Sequence, residues 1–376
     1  METQKTSRDY REYFVRGEHS KLKELKSKAR HSYLDKKRKK YLFKSKECIP
    51  PYPRPEFHVS HVKHDTERGS LCWIWKDGGF KDPHGGVKDP EEPSLVWWSL
   101  AVGPEEIRSA ERRLLKKTFP NRTKEQARRQ QGFLRKFASS PAFSEKSRYG
   151  SYRFTFRVEE VLEAYSEQFC FGAPPILRVF KTSLYKQEVV YTMLVHSPHD
   201  DGRFSEYPEL PDDDPKAVCA YRREENIFIW RPEAMCATHW YELNYRPEDN
   251  LMEALGPMQY PEYYVWDHVA LALHVESGQV LKFDSDRLRQ NLKFCERDDV
   301  TIAPKFYFDD SEEAQSVIES LWPESSLEKN FAGEENPTAV LKKPEDSLRA
   351  PSLPWLLEDA PCGDWAVTGR NDLPDL

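Results

Sequence analysis

The sequence lacks the features that mark membrane, secreted and disulfide-stapled proteins. No stretch approaches the roughly 18 consecutive apolar residues of a membrane helix, and the N-terminus has no apolar core of a signal peptide. The seven cysteines are odd in number and scattered, and they form no CxxC pair. A disulfide framework or a zinc knuckle is therefore not indicated. We expect a soluble, intracellular protein with reduced thiols and no membrane partner.

Motifs of several large enzyme classes are missing as well. There is no P-loop, no GxGxxG and no GxSxG elbow, which argues against ATP, GTP or Rossmann-type dinucleotide binding and against an α/β-hydrolase. His58, His61 and His64 recur every third residue, but they lie in an alternating pattern that predicts a strand. A strand places His58 and His61 on opposite faces, so a shared metal site is not predicted. We expect no metal cofactor.

What the sequence does have is enough apolar and aromatic material for a large core. Of 376 residues, 38% are hydrophobic and 13% are aromatic, which is typical of a folded chain rather than a disordered one. Short runs of β-branched and aromatic residues outnumber helical patterns, and the clearest runs lie over 95–100 and 188–196. One helical pattern covers 67–76, and Gly78 provides its C-terminal stop. These patterns predict a single α+β domain over 51–321, with a mixed or antiparallel sheet and short helices.

Charge divides the chain unevenly. Residues 1–47 hold 16 Lys and Arg against 7 Asp and Glu, a net charge of +9, whereas the other residues hold 41 against 56, a net charge of −15. We interpret 1–50 as a basic arm, helical or disordered, and the acidic, proline-rich residues 322–376 as a disordered tail. The arm contains a run typical of nuclear import or nucleic-acid binding, which favours a nuclear over a cytoplasmic location. That run is Lys36, Lys37, Arg38, Lys39 and Lys40.

Three separated segments follow the order of a known enzyme family. They are His61 with the later IWKDGGF at 74–80, then Phe143 with Ser147 and Tyr149, then EYYVWD from Glu262 to 267. This order resembles the ADP-ribosyltransferase-like fold of the diphtheria-toxin and poly(ADP-ribose) polymerase branch. In that family a strand histidine, a GF loop, a serine–tyrosine segment and a late EYxVYD strand build the NAD pocket.

The resemblance implies NAD as the substrate and a mono-ADP-ribosyltransferase activity, or a degenerate pocket of the same kind, with a protein or a nucleic acid as acceptor. Loss of nicotinamide develops positive charge on the ribose carbon, so a carboxylate bound to a ribose hydroxyl stabilises the transition state. Glu262 would take this catalytic role together with His61. In the same resemblance His61 would also hold the other ribose, and Phe143, Ser147 and Tyr149 would line the nicotinamide site.

The resemblance does not account for the whole domain. Residues around 174–258 have no place in the compact core of that fold, so it implies a large insertion there. Each matched residue also fits a structural role, Glu262 as the polar start of a buried strand and His61 as a half-buried strand histidine.

A second hypothesis needs no enzyme. The arm, together with basic residues between 112 and 136 such as Arg128 and Arg129, would contact the phosphates of a nucleic acid. Four aromatic residues would offer rings for base stacking, namely Trp97, Trp98, Tyr149 and Tyr152. The protein would then be a non-enzymatic nuclear module that binds nucleic acid or a protein partner.

Overall fold

The computed structural model describes residues 2–5, 11–25, 52–82, 93–185, 188–235, 241–256, 266–298 and 307–323. The chain divides into two compact units, Met1–Glu328 and Lys329–Leu376, and all described residues belong to the first. Residues 36–40 of the basic arm lie outside the described residues, as does the expected tail beyond residue 323.

Short strands and helices make up the described part of the chain. The strands are β1 (Glu2–Lys5), β2 (Arg11–Arg16), β3 (Phe57–Val59), β4 (His61–Thr66), β5 (Gly79–Phe80), β6 (Leu95–Ala101), β7 (Tyr152–Arg157), β8 (Ile176–Tyr185), β9 (Glu188–His196), β10 (Cys219–Arg222), β11 (Ile227–Trp230), β12 (Glu242–Arg246), β13 (Leu251–Leu255), β14 (Trp266–His274), β15 (Leu281–Lys282) and β16 (Leu292–Phe294). The helices are α1 (Arg68–Asp77), α2 (Pro104–Thr118), α3 (Lys124–Arg129), α4 (Leu134–Phe137), α5 (Val158–Phe169), α6 (Asp201–Phe204), α7 (Ser285–Asn291) and α8 (Ser311–Leu321). None of the described helices combines the length and the apolar character that a bilayer crossing requires.

Nine of these strands form one mixed sheet in the order β1-β2-β8-β9-β14-β6-β4-β7-β16. β9 and β14 pair in parallel, and the other neighbours in this sheet pair antiparallel. Three smaller sheets join β10 to β11 and β3, β12 to β13, and β15 to β5. The expected α+β class, with a mixed sheet and short helices, is confirmed.

Alternation along the strands gives the nine-stranded sheet two unlike faces, because successive side chains point to opposite sides. Lys63 of β4 lies opposite Ser99 of β6 and Thr155 of β7, and Ser99 lies opposite Ala270 of β14. These residues define what we call the polar face. The other side, the aromatic face, carries the intervening residues, among them Val62, Trp98, Phe154, Phe156 and Leu271.

The aromatic face holds the main core. The ring of Phe80 lies 4.7 Å from that of Trp98 and 5.1 Å from that of Phe154. α5 contributes buried residues at the i, i+3, i+4, i+7 spacing of an amphipathic helix, and these are Val158, Val161, Leu162 and Tyr165. The helix packs on this face because its only apolar stripe points there.

Local sequence signals set the helix ends. α1 stops at Gly78, which has a φ of +69° and so occupies a left-handed conformation that suits glycine. α2 begins with Pro104 at its first position, where the missing N–H has no intrahelical partner to lose. Thr123 and Gln126 form a reciprocal capping box that starts α3.

Two segments that we expected outside the core belong to the sheet. Residues 174–258, expected as an insertion, contain β8 and β9, and β9 lies next to β14 in the interior of the nine-stranded order. Its apolar run is long because side chains on both of its faces are buried. The first part of the basic arm, expected to be helical or disordered, contributes β1 and β2, and β2 pairs with β8. Phe14 of β2 is buried. The charged residues around it conceal the strand pattern in the sequence.

Candidate functional site

A shallow depression, which we call the polar pocket, lies on the polar face. Its lining includes Lys63, Asp65, Ser99, Arg148, Tyr149 and His268. The depression encloses about 310 Å3 together with the solvent at its mouth, but only about 20 Å3 of it can take the centre of a water molecule. That space suits about one or two waters. A larger ligand must therefore lie across the mouth or displace part of the wall.

The connection between α4 and β7, residues 138–151, forms one wall, and we call it the pocket loop. Ser140 Oγ donates to the carbonyl of Asp267 at 2.9 Å, and the N–H of Ser147 donates to the carbonyl of Glu296 at 2.8 Å. Gly150 has a φ of +129°, and a Cβ there would lie 2.2 Å from the carbonyl oxygen of Thr66. Only glycine fits this crossing, so the loop is fixed next to Tyr149.

Glu188 is the centre of a buried group of charges. It begins β9, accepts hydrogen bonds from Arg148 at 2.9 and 3.1 Å, and contacts Nε2 of His268 on β14. Burial acts to raise the pKa of Glu188, but the charges of Arg148 and His268 outweigh it and lower the pKa well below its usual value. Burial acts to lower the pKa of Arg148, but the charge of Glu188 raises it. The pair therefore stays ionised, and Glu188 orients His268 at the pocket wall.

Lys63 is a buried lysine of the pocket. Its ammonium donates to the carbonyls of Pro141 at 2.6 Å and Ser144 at 3.1 Å, so it ties β4 to the pocket loop. Burial, with a smaller contribution from the positive charge of Arg153, lowers the pKa of Lys63 to about 7. Lys63 therefore changes charge near neutral pH, a property that lysines in binding and catalytic sites share.

Asp65 and Arg153 form a second buried pair beside Lys63. Arg153 donates to both carboxylate oxygens of Asp65, at 2.6 and 2.8 Å. Burial acts to raise the pKa of Asp65, but the hydrogen bonds and charge of Arg153 outweigh it and lower the pKa. Arg153 also donates to the carbonyls of Ser144, Glu145 and Lys146. This guanidinium thus fixes the pocket loop to the sheet.

Two of the expected NAD-binding residues lie on the pocket side of the sheet. His61 begins β4 two residues before Lys63, so it shares the polar face, and its Nδ1 lies 3.0 Å from Ser60 Oγ. Its imidazole is exposed, although partial burial and the charge of Arg157 lower its pKa. Tyr149 lines the pocket, is 37% exposed, and lies 5.2 Å from the guanidinium of Arg148.

The other expected NAD-binding residues have different surroundings. Phe143 packs into the core, with its ring stacked 5.5 Å from Trp230 and tilted 5.1 Å from Phe57. Ser147 is fully buried, and its Oγ accepts the N–H of Tyr149. Glu262, the expected catalytic carboxylate, lies outside the described residues, four positions before β14.

The residues of the nucleic-acid hypothesis are also spread apart. Arg128 and Arg129 are exposed on α3, where Arg129 pairs with Glu125. Trp97 is 37% exposed on the polar face, but Trp98 and Tyr152 are buried and cannot stack on a base. This part of the hypothesis is wrong, because both rings belong to the aromatic face.

Sequence reasoning missed Arg148, Glu188, Lys63 and His268. A signal for two of them exists, since Glu188 begins the largely apolar run EVVYTMLVH and His268 lies within the largely apolar run WDHVALALH. A charged residue inside a buried strand is costly unless it is paired. Such a residue therefore predicts a partner, although the sequence does not say which.

A second polar cluster lies at the opposite ends of β9 and β14. Ligand atoms of Asp200, His274 and Glu276 lie within 4.8 Å of one another. Nδ1 of His274 is 3.2 Å from the carboxylate of Asp200, and the guanidinium of Arg203 lies 3.2 Å from Nε2 of His274 and 4.0 Å from Glu276. The arginine supplies the positive charge here, so we assign no metal to this cluster.

Comparison with protein-family models, with curated proteins and with solved structures gives no match for this chain.

Proposed function

We propose that the polar pocket is the functional site, that it binds an anionic nucleotide-like ligand, and that the protein is ADP-ribosyltransferase-like with NAD as that ligand. The observation that carries this proposal is the lining of the pocket, where Lys63, Arg148 and His268 stand beside the half-exposed ring of Tyr149. The Arg148 guanidinium and, when protonated, the Lys63 ammonium suit the pyrophosphate, and an aromatic ring suits a nicotinamide or adenine face.

Two further residues support the same ligand. His61 shares the polar face with Lys63, at a spacing of about 7 Å along the strand, within the span of a nucleotide. Glu262 precedes β14 by four residues, and His268 of that strand lines the pocket. Because the pocket is shallow, NAD would lie across its mouth with its phosphates over the cations.

The proposed reaction breaks the bond between the ribose C1′ and the nicotinamide nitrogen. Nicotinamide leaves with the electron pair, a nucleophile of the acceptor forms the new bond to C1′, and the nucleophile gives up its proton. Glu262 would hydrogen-bond a ribose hydroxyl and offset the developing positive charge. His61 would hold the ligand without taking part in bond exchange.

The test separates binding from chemistry. Binding is measured as the rise in melting temperature of the full chain with millimolar NAD, and chemistry as the release of free nicotinamide. We expect Tyr149→Ala to lose both signals, and Glu262→Gln to keep the thermal shift while losing nicotinamide release. His61→Ala should weaken the thermal shift.

The matched control is His58→Ala. His58 lies on β3 in a separate sheet and pairs with Glu56 at 3.0 Å, so its removal should change neither signal. If NAD does not raise the melting temperature of the wild-type chain, or raises that of Tyr149→Ala equally, NAD is not the ligand of this pocket.

A further inference from the structure

A short part of the chain carries an unusual density of positive charge. Residues 112–136 contain ten Lys and Arg and a single acidic residue, Glu125, within a chain whose formal net charge is −6. Eight of the ten are exposed. On α2 and α3 these are Arg112, Lys116, Lys117, Lys124, Arg128 and Arg129, and α4 adds two more. We call this the basic surface.

The fold turns these cations outward. α2, its C-cap and α4 bury Leu115, Phe119, Leu134 and Phe137 in the core, so the basic residues between them face solvent. Two acidic groups of α2 are occupied in the structure. Glu111 accepts the N–H groups that start α4, from Phe133 at 2.8 Å and Leu134 at 2.7 Å, and Glu106 pairs with the half-buried Arg113.

Most of the exposed cations therefore lack an acidic neighbour. In the part of the chain that the structure describes, no carboxylate lies within 4.0 Å of Lys116, Lys117, Lys124 or Arg128. Among the described residues Arg129 pairs only with Glu125, in an exposed i,i+4 pair. Such a pair contributes little to stability, and Glu125 is readily exchanged for another anion. The surface is thus a strip of cations without matching counter-charges.

An exposed aromatic ring borders this strip. Tyr245 of β12 is 48% exposed and stacks on Phe119 with ring centres 5.4 Å apart and planes 6° apart. The β12–β13 hairpin is fixed to α3, because Gln130 bonds both main-chain groups of Met252, at 2.6 and 3.1 Å. Phe119 supports one side of the Tyr245 ring and leaves part of it to solvent.

We propose that the basic surface binds single-stranded nucleic acid, with the cations on successive phosphates and a base stacked on Tyr245. The combination of a positively charged track with a supported aromatic ring is how proteins hold single strands without reading their sequence. A duplex keeps its bases stacked inside and gains nothing from Tyr245, and a purely acidic peptide such as poly-glutamate offers no ring to stack. The phosphate track would run along α2 and α3, apart from the polar pocket.

The experiment measures the binding of a fluorescent oligothymidylate to the full chain by anisotropy, over a series of salt concentrations. The test variant is the triple Lys124→Gln/Arg128→Gln/Arg129→Gln, and the matched variant carries Lys→Gln and Arg→Gln changes at 36–40 in the arm. We expect the triple variant to bind oligothymidylate about tenfold or more weaker. The slope of the logarithm of the binding constant against the logarithm of salt concentration should fall in magnitude by about 2, because each of three phosphate contacts on a single strand contributes about 0.7 to it.

The ring is tested separately. Tyr245→Leu keeps an apolar side chain over Phe119, so the melting temperature reports whether the fold is intact. We expect it to weaken oligothymidylate binding by about fivefold to a hundredfold and to leave the binding of inorganic polyphosphate unchanged.

Three results would overturn the proposal. The first is unchanged affinity in the triple variant while the arm variant loses binding, which would assign the interaction to the arm. The second is an equal loss of oligothymidylate and polyphosphate binding in Tyr245→Leu. The third is duplex DNA, or a poly-glutamate peptide, binding as tightly as the single strand at equal salt. His58→Ala, on β3 in a separate sheet, serves as the control and should not change oligothymidylate binding.

Discussion

The two faces of the nine-stranded sheet come from the same strands and differ in almost every other respect. The aromatic face is filled with rings such as Phe80, Trp98 and Phe156, which contact one another at centroid distances of 4.7 to 6.2 Å. On the polar side, in contrast, Lys63 and Glu188 are buried charges, 6% and 4% exposed. Burial therefore has opposite effects on stability for the rings of one face and the charges of the other.

On the aromatic face burial is itself the source of stability, because each ring removes apolar surface from water. On the polar face burial removes water from charged groups, a cost that the paired partners offset at best. The charged pairs of the polar face thus add little net stability for the area they cover. We infer that the charges of the polar face fix the geometry of the polar pocket. Variants on either face test this difference between the two faces.

The largest contrast should come from two adjacent tryptophans on β6. Trp98 is 1% exposed on the aromatic face, whereas Trp97 is 37% exposed on the polar face. We expect Trp98→Ala to lower the free energy of unfolding by about 3–5 kcal/mol, and Trp97→Ala to lower it by about 1 kcal/mol or less. Urea unfolding of both variants measures the difference. Equal losses would mean that the two faces are packed alike.

A comparable loss should follow when one partner of a buried charge pair is removed. Glu188→Gln leaves Arg148 charged at 5% side-chain exposure, so we expect a loss of about 3–5 kcal/mol in urea unfolding. The double variant Arg148→Met/Glu188→Met removes both charges and should be more stable than Glu188→Gln.

The exposed pair Arg222–Glu225 is the control for that measurement, with side chains 25% and 53% exposed. Glu225→Gln should cost about 1 kcal/mol or less. If Glu188→Gln costs no more than this, the polar face is open to solvent and the contrast with the aromatic face fails.

The sequence predicted the local elements of both faces well. The strand expected over 188–196 matches β9, the strand over 95–100 matches β6, and α1 ends at Gly78 as expected. Each of these elements depends on residues that are close together in the chain. The face that an element buries sets the alternation of apolar residues in a strand or their 3.6-residue period in a helix.

Strand order and the polar pocket could not be predicted in this way. β14 lies in parallel beside β9 although its sequence gives no sign of its neighbour. Glu188 meets Arg148 across 40 residues and His268 across 80. Each of these contacts is decided by tertiary packing, and a single sequence carries only the hint that a buried charge needs a partner. For the same reason Phe143 and Ser147, which match a motif by spacing, are placed by core packing and local hydrogen bonds instead.

A change in the pH dependence of stability tests the polar face alone. The pKa of Lys63 is about 7 in the folded chain, whereas an unperturbed lysine has a pKa near 10.4. Between these values the unfolded chain binds the proton and the folded chain releases it, so this group makes the fold more stable as pH rises.

The free energy of unfolding of the wild type minus that of Lys63→Met should therefore increase from pH 7 towards pH 10, by up to about 1.4 kcal/mol per pH unit. A flat profile for Lys63→Met would mean that the Lys63 amine keeps its proton on the polar face, held by the carbonyls of Pro141 and Ser144, and that burial there is less severe than its position on β4 indicates.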